Sequence, residues 1–248
     1  MTLPASFFAR PIAHRALHGP RRAENGLKAV HAAITAGYPI ELDVQLASDD
    51  VPVVFHDYDL GRLTIEQGPV RGRSSAQLSA IPLNGDGGTV PTLSQVLDII
   101  AGQVPLLIEV KDQDGALGPD TGKMGAAVAE RLRGYNGDVA VMSFNPHHIA
   151  ELQRILPDVP RGLVTDPFAP VDWPLVPIPT LDRLRAIPDY DHVGACFISH
   201  NVDALDTPRV TELKISGAGI LCWTVRTPEQ ASAARQIVDN ITFEGFDA

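Results

Sequence analysis

Two short runs in this sequence place charged side chains where a metal ion and a phosphate would need them. In Glu41-Leu42-Asp43 the two carboxylates stand two residues apart. Residues two apart on a strand point to the same face, so Glu41 and Asp43 share one side while Ile40, Leu42 and Val44 share the other. Two carboxylates directed into one interior repel each other and are costly to desolvate. A bound divalent cation relieves both costs; a strand end open to solvent, or paired with basic side chains, is the alternative. Glu109-Val110-Lys111 repeats the spacing directly after the apolar run Val104–Ile108. Glu109 can supply a third oxygen ligand there, and Lys111 can face a phosphate from the same side. A plain Glu–Lys ion pair, usually worth little, is the competing reading. All-oxygen ligation suits a hard cation, Mg²⁺ or Ca²⁺.

Two histidines follow apolar runs in the same manner. His14-Arg15 follows Arg10–Ala13, and His56-Asp57 follows Val51–Phe55. A pair of imidazoles can exchange protons around a phosphorus centre, and an arginine can grip phosphate oxygens in bidentate fashion. Either histidine alone fits a structural role as well. The case rests on His14, Arg15, Glu41, Asp43, His56, Glu109 and Lys111 all falling at equivalent ends of strand-like runs.

Those ends must be brought together by the elements that carry them. Apolar, β-branched runs alternate with longer amphipathic segments along the chain. Strands are expected at Arg10–His14, Ile40–Val44, Val51–His56, Pro105–Val110, Val139–Phe144, Gly162–Val164, Ala195–Ser199, Ile220–Val225 and Ile241–Phe243. Helices are expected at Leu27–Ala36 (Asn25 as N-cap, Gly37 as stop), Thr92–Ile100, Lys123–Arg133, Pro146–Leu156, Leu181–Ile187, Pro208–Ile215 and Pro228–Ile237. About eight strand–helix steps suit a closed parallel TIM (β/α)8 barrel, whose chemistry sits at the C-terminal ends of the strands. A doubly wound open sheet is the structural alternative. The Gly- and Pro-rich region Asp57–Pro91 is too long for an ordinary βα loop. It reads as a small insertion beside the site, within one domain covering residues 1–248.

Composition narrows the partners. The chain has 248 residues, 44% of them hydrophobic, and a formal net charge of −10. That charge argues against a broad nucleic-acid face, and an anionic substrate then requires locally concentrated positive charge. Cys196 and Cys222 lie in apolar runs without a CxxC pattern, as expected of buried reduced thiols. No run approaches the length of a membrane span, and Met1–Pro11 lacks the make-up of a signal peptide, so the expected location is the cytoplasm. Nothing bears on oligomeric state.

The ordered set of motifs resembles the glycerophosphodiester phosphodiesterase family. The family pattern of His-Arg, Glu-Asn, Glu-Leu-Asp, a hydrophobic strand ending in His-Asp, and a later Glu-(Ile/Val)-Lys reads here as His14-Arg15, Glu24-Asn25, Glu41-Leu42-Asp43, Val53–Asp57 and Glu109-Val110-Lys111. Trp223-Thr224-Val225 is similar to the family's C-terminal signature. The resemblance implies a TIM barrel with an insertion after the His-Asp strand and one divalent cation held by Glu41, Asp43 and Glu109. It implies acid–base roles for His14 and His56, phosphate binding by Arg15 and Lys111, and contact of Trp223 with the glycerol backbone. A barrel-core aromatic is the plainer reading of Trp223. Glu24 is expected to support the site from behind. The implied substrate is a small-molecule glycerophosphodiester, cleaved to glycerol 3-phosphate and an alcohol such as choline or ethanolamine. A lysophospholipase D-like action on lysophospholipids is the nearest alternative; it would need an apolar groove from Asp57–Pro91 and the Pro-rich Asp166–Pro179. A barrel that binds a phosphorylated ligand without turning it over is a more distant one. Ala16 replaces the family's usual Gly, and Gly26 its usual Thr, which bears on the shape of the first loop.

Overall fold

Most parallel strands of this chain are buried on both faces, and the architecture follows from covering both. In the computed structural model, which describes residues 1–85 and 87–248, the chain runs β1 (Ile12–Ala13), α1 (Leu27–Ala36), β2 (Ile40–Leu46), β3 (Pro52–Val54), α2 (Ser75–Leu78), α3 (Leu93–Ile100), β4 (Leu106–Val110) and α4 (Met124–Leu132). It continues through β5 (Val139–Ser143), α5 (Pro146–Ile155), β6 (Arg161–Thr165), α6 (Ile178–Arg185), β7 (Phe197–Asn201), α7 (Pro208–Ile215), β8 (Gly219–Val225), α8 (Pro228–Ala234) and β9 (Asn240–Phe243). The strands other than β3 form parallel pairs in the order β1, β2, β4, β5, β6, β7, β8, β9. β1 pairs with both β2 and β9, so the sheet closes into an eight-stranded barrel among the described residues, and an open doubly wound sheet is ruled out.

Alternation along the strands separates two cores. Outward residues such as Ile40, Leu42, Val44, Ile108, Ile198 and Ile220 pack against the helices. Inward residues Ile12, Leu107, Ala140, Met142, Val164, Phe197 and Leu221 fill the barrel, and Leu3 and Phe7 of the N-terminal segment join them. Asn240 Nδ2 stitches that segment to β9 by donating to the carbonyls of Phe7 (2.6 Å) and Arg10 (2.7 Å). Gly162 faces Phe197, whose ring occupies the space a side chain would need.

The run Val51–His56 breaks the rhythm. β3 pairs antiparallel with the end of β2, Val44 opposite Val54 and Leu46 opposite Pro52, so it is a hairpin return rather than a barrel strand. The few residues of the Ser48–Asp50 turn are too short for a crossover, and only an antiparallel return is open to them. Beyond it, Leu60, Val70, Leu78, Ile81 and Leu83 pack with Ala47, Val53 and Phe55 into a small core of their own. Helix starts follow their caps: Thr92 and Gln95 form a reciprocal capping box at α3. At α1 the cap is Gly26 rather than the expected Asn25, whose side chain is engaged elsewhere.

Candidate active site

Strand register alone gathers the acidic groups. β2 and β4 are parallel neighbours with Asp43 directly opposite Glu109, and Glu41 lies two residues back on the same inward face. Glu41, Asp43 and Glu109 are 2%, 1% and 7% exposed, and each offers an oxygen to a cluster in which these atoms lie within 4.8 Å of one another. Lys111 Nζ stands 2.8 Å from Asp43 Oδ1 and 2.5 Å from Glu109 Oε1. Burial alone would depress the Lys111 amine, but those two carboxylates raise it, so it stays charged.

The charges within this cluster do not balance. Burial, and then the charges of Asp43 and Glu109, push the Glu41 carboxyl well above its usual range. Burial also opposes ionisation of Asp43, but Lys111, His56 and Arg15 outweigh it and hold that carboxylate below its usual range. The chain's own cations therefore satisfy Asp43 and leave Glu41 short of positive charge. A hard divalent ion among three carboxylates would relieve this, so the donor set fits one.

Arg15 sits in a left-handed turn after β1, with φ of 50° at Arg15 and 62° at Ala16. Such values are costly for residues other than glycine, and here they aim successive N–H groups at one strand. Arg15 N donates to Glu41 Oε2 (2.8 Å) and Ala16 N to the Glu41 carbonyl (2.9 Å). The Arg15 guanidinium donates to Glu24 Oε1 (2.8 Å), and its Nε lies 3.6 Å from Asp43 Oδ2. Asn25, also left-handed at φ 59°, donates from Nδ2 to Asp43 Oδ2 (2.9 Å) and accepts from Asp43 N (3.2 Å). Its task is thus to hold Asp43, which corrects the helix-capping role expected of it.

Each histidine is held by a carboxylate. His14 Nδ1 is 2.6 Å from Glu244 Oε2, and Arg226 Nε donates to Glu244 Oε1 (2.8 Å). Burial disfavours the His14 imidazolium and lowers its pKa, with Arg15 adding to the effect and Glu244 opposing it. Hydrogen bonds from His14 and His18 are the main cause of the low pKa of Glu244. His56 Nδ1 is 2.6 Å from Asp57 Oδ1, and Arg62 binds Asp57 through Nε (2.6 Å) and Nη2 (2.9 Å). The same Arg62 donates two bonds to Glu24, at 2.9 and 2.6 Å. A continuous ionic chain therefore runs from His56 through Asp57, Arg62 and Glu24 to Arg15.

His14, Arg15, Glu41, Asp43, His56, Glu109, Lys111 and Trp223 line one cavity of about 120 Å³ at the C-terminal end of the barrel. Glu24 lies behind Arg15. Trp223 Nε1 donates to the Ser199 carbonyl (3.0 Å), which sets its ring against the cavity and against Phe144, 5.5 Å away between centroids. Beside this cavity lies a larger groove of about 490 Å³, lined by His56 and Lys111 and by Tyr58, Leu117, Phe144, Trp173, Leu175 and Trp223. Sequence reasoning missed Glu244, Arg62 and Phe144. Glu244 follows β9 directly, so the strand-end position that marks His14 marks it too; Arg62 lies in a Gly-rich stretch with no local signal.

Comparison with known proteins agrees with this geometry. The sequence profile described as the glycerophosphoryl diester phosphodiesterase family matches residues 14–244. A Bacillus subtilis protein named "putative glycerophosphodiester phosphodiesterase YhdW" is 26% identical over 238 residues, covering 93% of this chain and 92% of its own length. An Oleispira antarctica phosphodiesterase, solved in complex with the product sn-glycerol-3-phosphate, superposes with a TM-score of 0.78 at 25% identity, over 96% of this chain and 94% of that one. A Silicibacter pomeroyi structure, described as a "putative glycerophosphoryl diester phosphodiesterase", gives 0.79 at 25% identity, over 94% and 89%.

Proposed function

The chain belongs to the glycerophosphoryl diester phosphodiesterase family, whose members are phosphoric diester hydrolases, and from that premise we propose that it cleaves glycerophosphodiesters to glycerol 3-phosphate and a free alcohol. The observation that carries this reading is the meeting of three buried carboxylates, two basic side chains and two carboxylate-held histidines about one cavity. Glu41, Asp43 and Glu109 would hold one divalent cation, Mg²⁺ or Ca²⁺, which when bound supplies positive charge beside the phosphoryl oxygens. Arg15 and Lys111 stabilise the charge that grows on those oxygens as the bond to phosphorus breaks. Their guanidinium and ammonium groups are held in place by Glu24 and by Asp43 and Glu109.

Proton transfer falls to His14 and His56. With Nδ1 engaged by Glu244 or Asp57, the nitrogen of each that serves the substrate is Nε2. One imidazole takes a proton from the attacking hydroxyl, whether of water or of the substrate's glycerol. The other gives a proton to the departing alcohol. Trp223 packs against the glycerol backbone.

A second reading, action on lysophospholipids, draws support from the apolar groove beside the site, whose Leu175 and Tyr58 are exposed. One panel tests both readings: glycerophosphocholine, glycerophosphoethanolamine and lysophosphatidylcholine, each assayed with EDTA and with Mg²⁺ or Ca²⁺ restored. The expected result is cation-dependent hydrolysis of the glycerophosphodiesters, with lysophosphatidylcholine turned over more slowly. Activity indifferent to chelation refutes the carboxylate ligand set; preference for lysophosphatidylcholine replaces the first reading by the second.

A further inference from the structure

The cavity floor carries two hydroxyls that the ionic network does not use. Ser199 on β7 and Thr242 on β9 point into the barrel, line the cavity, and are 0% and 1% exposed. Neither Ser199 Oγ nor Thr242 Oγ1 has a hydrogen-bond partner among the described residues. Buried hydroxyls in folded proteins are nearly always paired, because leaving one unpaired forfeits its hydrogen bonds to water with nothing in return. Other inward-facing residues at nearby levels, such as Met142 and Leu221, are apolar, so hydroxyls here are not what filling the barrel requires.

The two adjoining spaces also differ in kind. The inner cavity is about 120 Å³ and edged by polar groups, whereas the outer groove is about 490 Å³ and mostly aromatic and aliphatic. A phosphodiester spanning them has one small, hydroxyl-rich arm and one arm of variable chemistry. The small arm suits the inner space, where the unpaired hydroxyls of Ser199 and Thr242 lie.

We propose that Ser199 and Thr242 form a subsite for the glycerol hydroxyls, which sets the glycerol arm inward and the leaving alcohol outward. This rests on the glycerophosphodiester reading and deepens it. A hydroxyl can both donate and accept, so each of these side chains can pair with a substrate hydroxyl in either sense. An acylated glycerol has no room in that inner space, so the subsite also selects against lysophospholipids.

The test is binding to the cation-loaded protein, measured by titration calorimetry with glycerol 3-phosphate and with inorganic phosphate. Ser199→Ala and Thr242→Val should each weaken glycerol 3-phosphate relative to phosphate by roughly three- to tenfold, as expected for one lost neutral hydrogen bond. Thr242→Ser, which keeps the hydroxyl, should restore most of that ratio. Equal weakening of both ligands would mean a general change of site shape and would overturn the proposal. So would unchanged binding of both, because the hydroxyls would then serve only buried water. Failure of the parent reading looks different: wild-type protein would hydrolyse no glycerophosphodiester, whatever these variants bind.

Discussion

The two sides of the cavity mouth each hold a histidine, and they do so in different ways. On the barrel side, His14 is held by Glu244, 230 residues away, a contact that exists only because β9 returns to β1. On the insertion side, His56 is held by its own neighbour Asp57, which is tied back to the barrel through Arg62 and Glu24. The first histidine side chain is 11% exposed and the second 30%. Barrel closure thus builds one half of the proposed acid–base pair as part of the core. The other half is attached by an ionic clasp at the surface. Matched chemistry therefore needs no matched scaffolding: each imidazole has a carboxylate at Nδ1, whatever element supplies it.

The strongest way to break the comparison is to remove the imidazoles. His14→Ala and His56→Ala should each lower kcat on glycerophosphocholine by roughly 10²–10⁴-fold, with thermal melts that still show a folded chain. A variant of either with near-normal kcat would show that only one side does acid–base work. A smaller and more telling effect concerns the supports. Glu244→Gln should cost about 10–100-fold in kcat, since it removes the charge that orients and stabilises His14. Arg62→Ala should cost less, roughly three- to tenfold, because Arg62 is 47% exposed and acts on His56 only through Asp57. If Arg62→Ala proved the more damaging, the insertion would be the dominant support and the ranking of the two sides would reverse.

A third histidine sharpens the comparison by contrast. His148 on α5 is fully buried, neither ring nitrogen has a hydrogen-bond partner among the described residues, and Asp112 Oδ1 comes no closer than 3.9 Å. Burial lowers its pKa to about 4 from the ordinary 6.5. The unfolded chain therefore binds the proton first as pH falls. The stability tied to neutral His148 is complete above about 6.5 and is lost as pH drops toward 4, reaching about 2 kcal/mol at pH 5. Urea unfolding at pH 7.5 and pH 5 should show a loss of that order, and His148→Leu should reduce it. An unchanged pH dependence in His148→Leu would place the acid sensitivity elsewhere.

Much of the site is legible in local spacing. Glu41 with Asp43, and Glu109 with Lys111, stand two apart on strands, so each pair shares a face in any structure that keeps those strands extended. Polar residues just after apolar runs, as at His14 and His56, mark strand ends. The same local logic misleads at Asn25, which precedes a helix like a cap but bonds Asp43, because a buried carboxylate is the more demanding partner. It misleads again at Val51–Phe55, whose apolar run is equally fit for a barrel strand or a hairpin arm; the short turn before it decides in favour of the arm.

Local periodicity is what can be read from the chain directly: which faces are apolar, about where helices lie, and which charged groups share a side of one strand. Those features depend on backbone geometry over a few residues. The tertiary structure alone decided that Asp43 stands opposite Glu109, that Glu244 reaches His14, and that Arg62 joins Asp57 to Glu24. Strand register, ring closure and the docking of an insertion bring together residues far apart along the chain. Their free energies come from burying whole faces, which no short stretch of sequence contains.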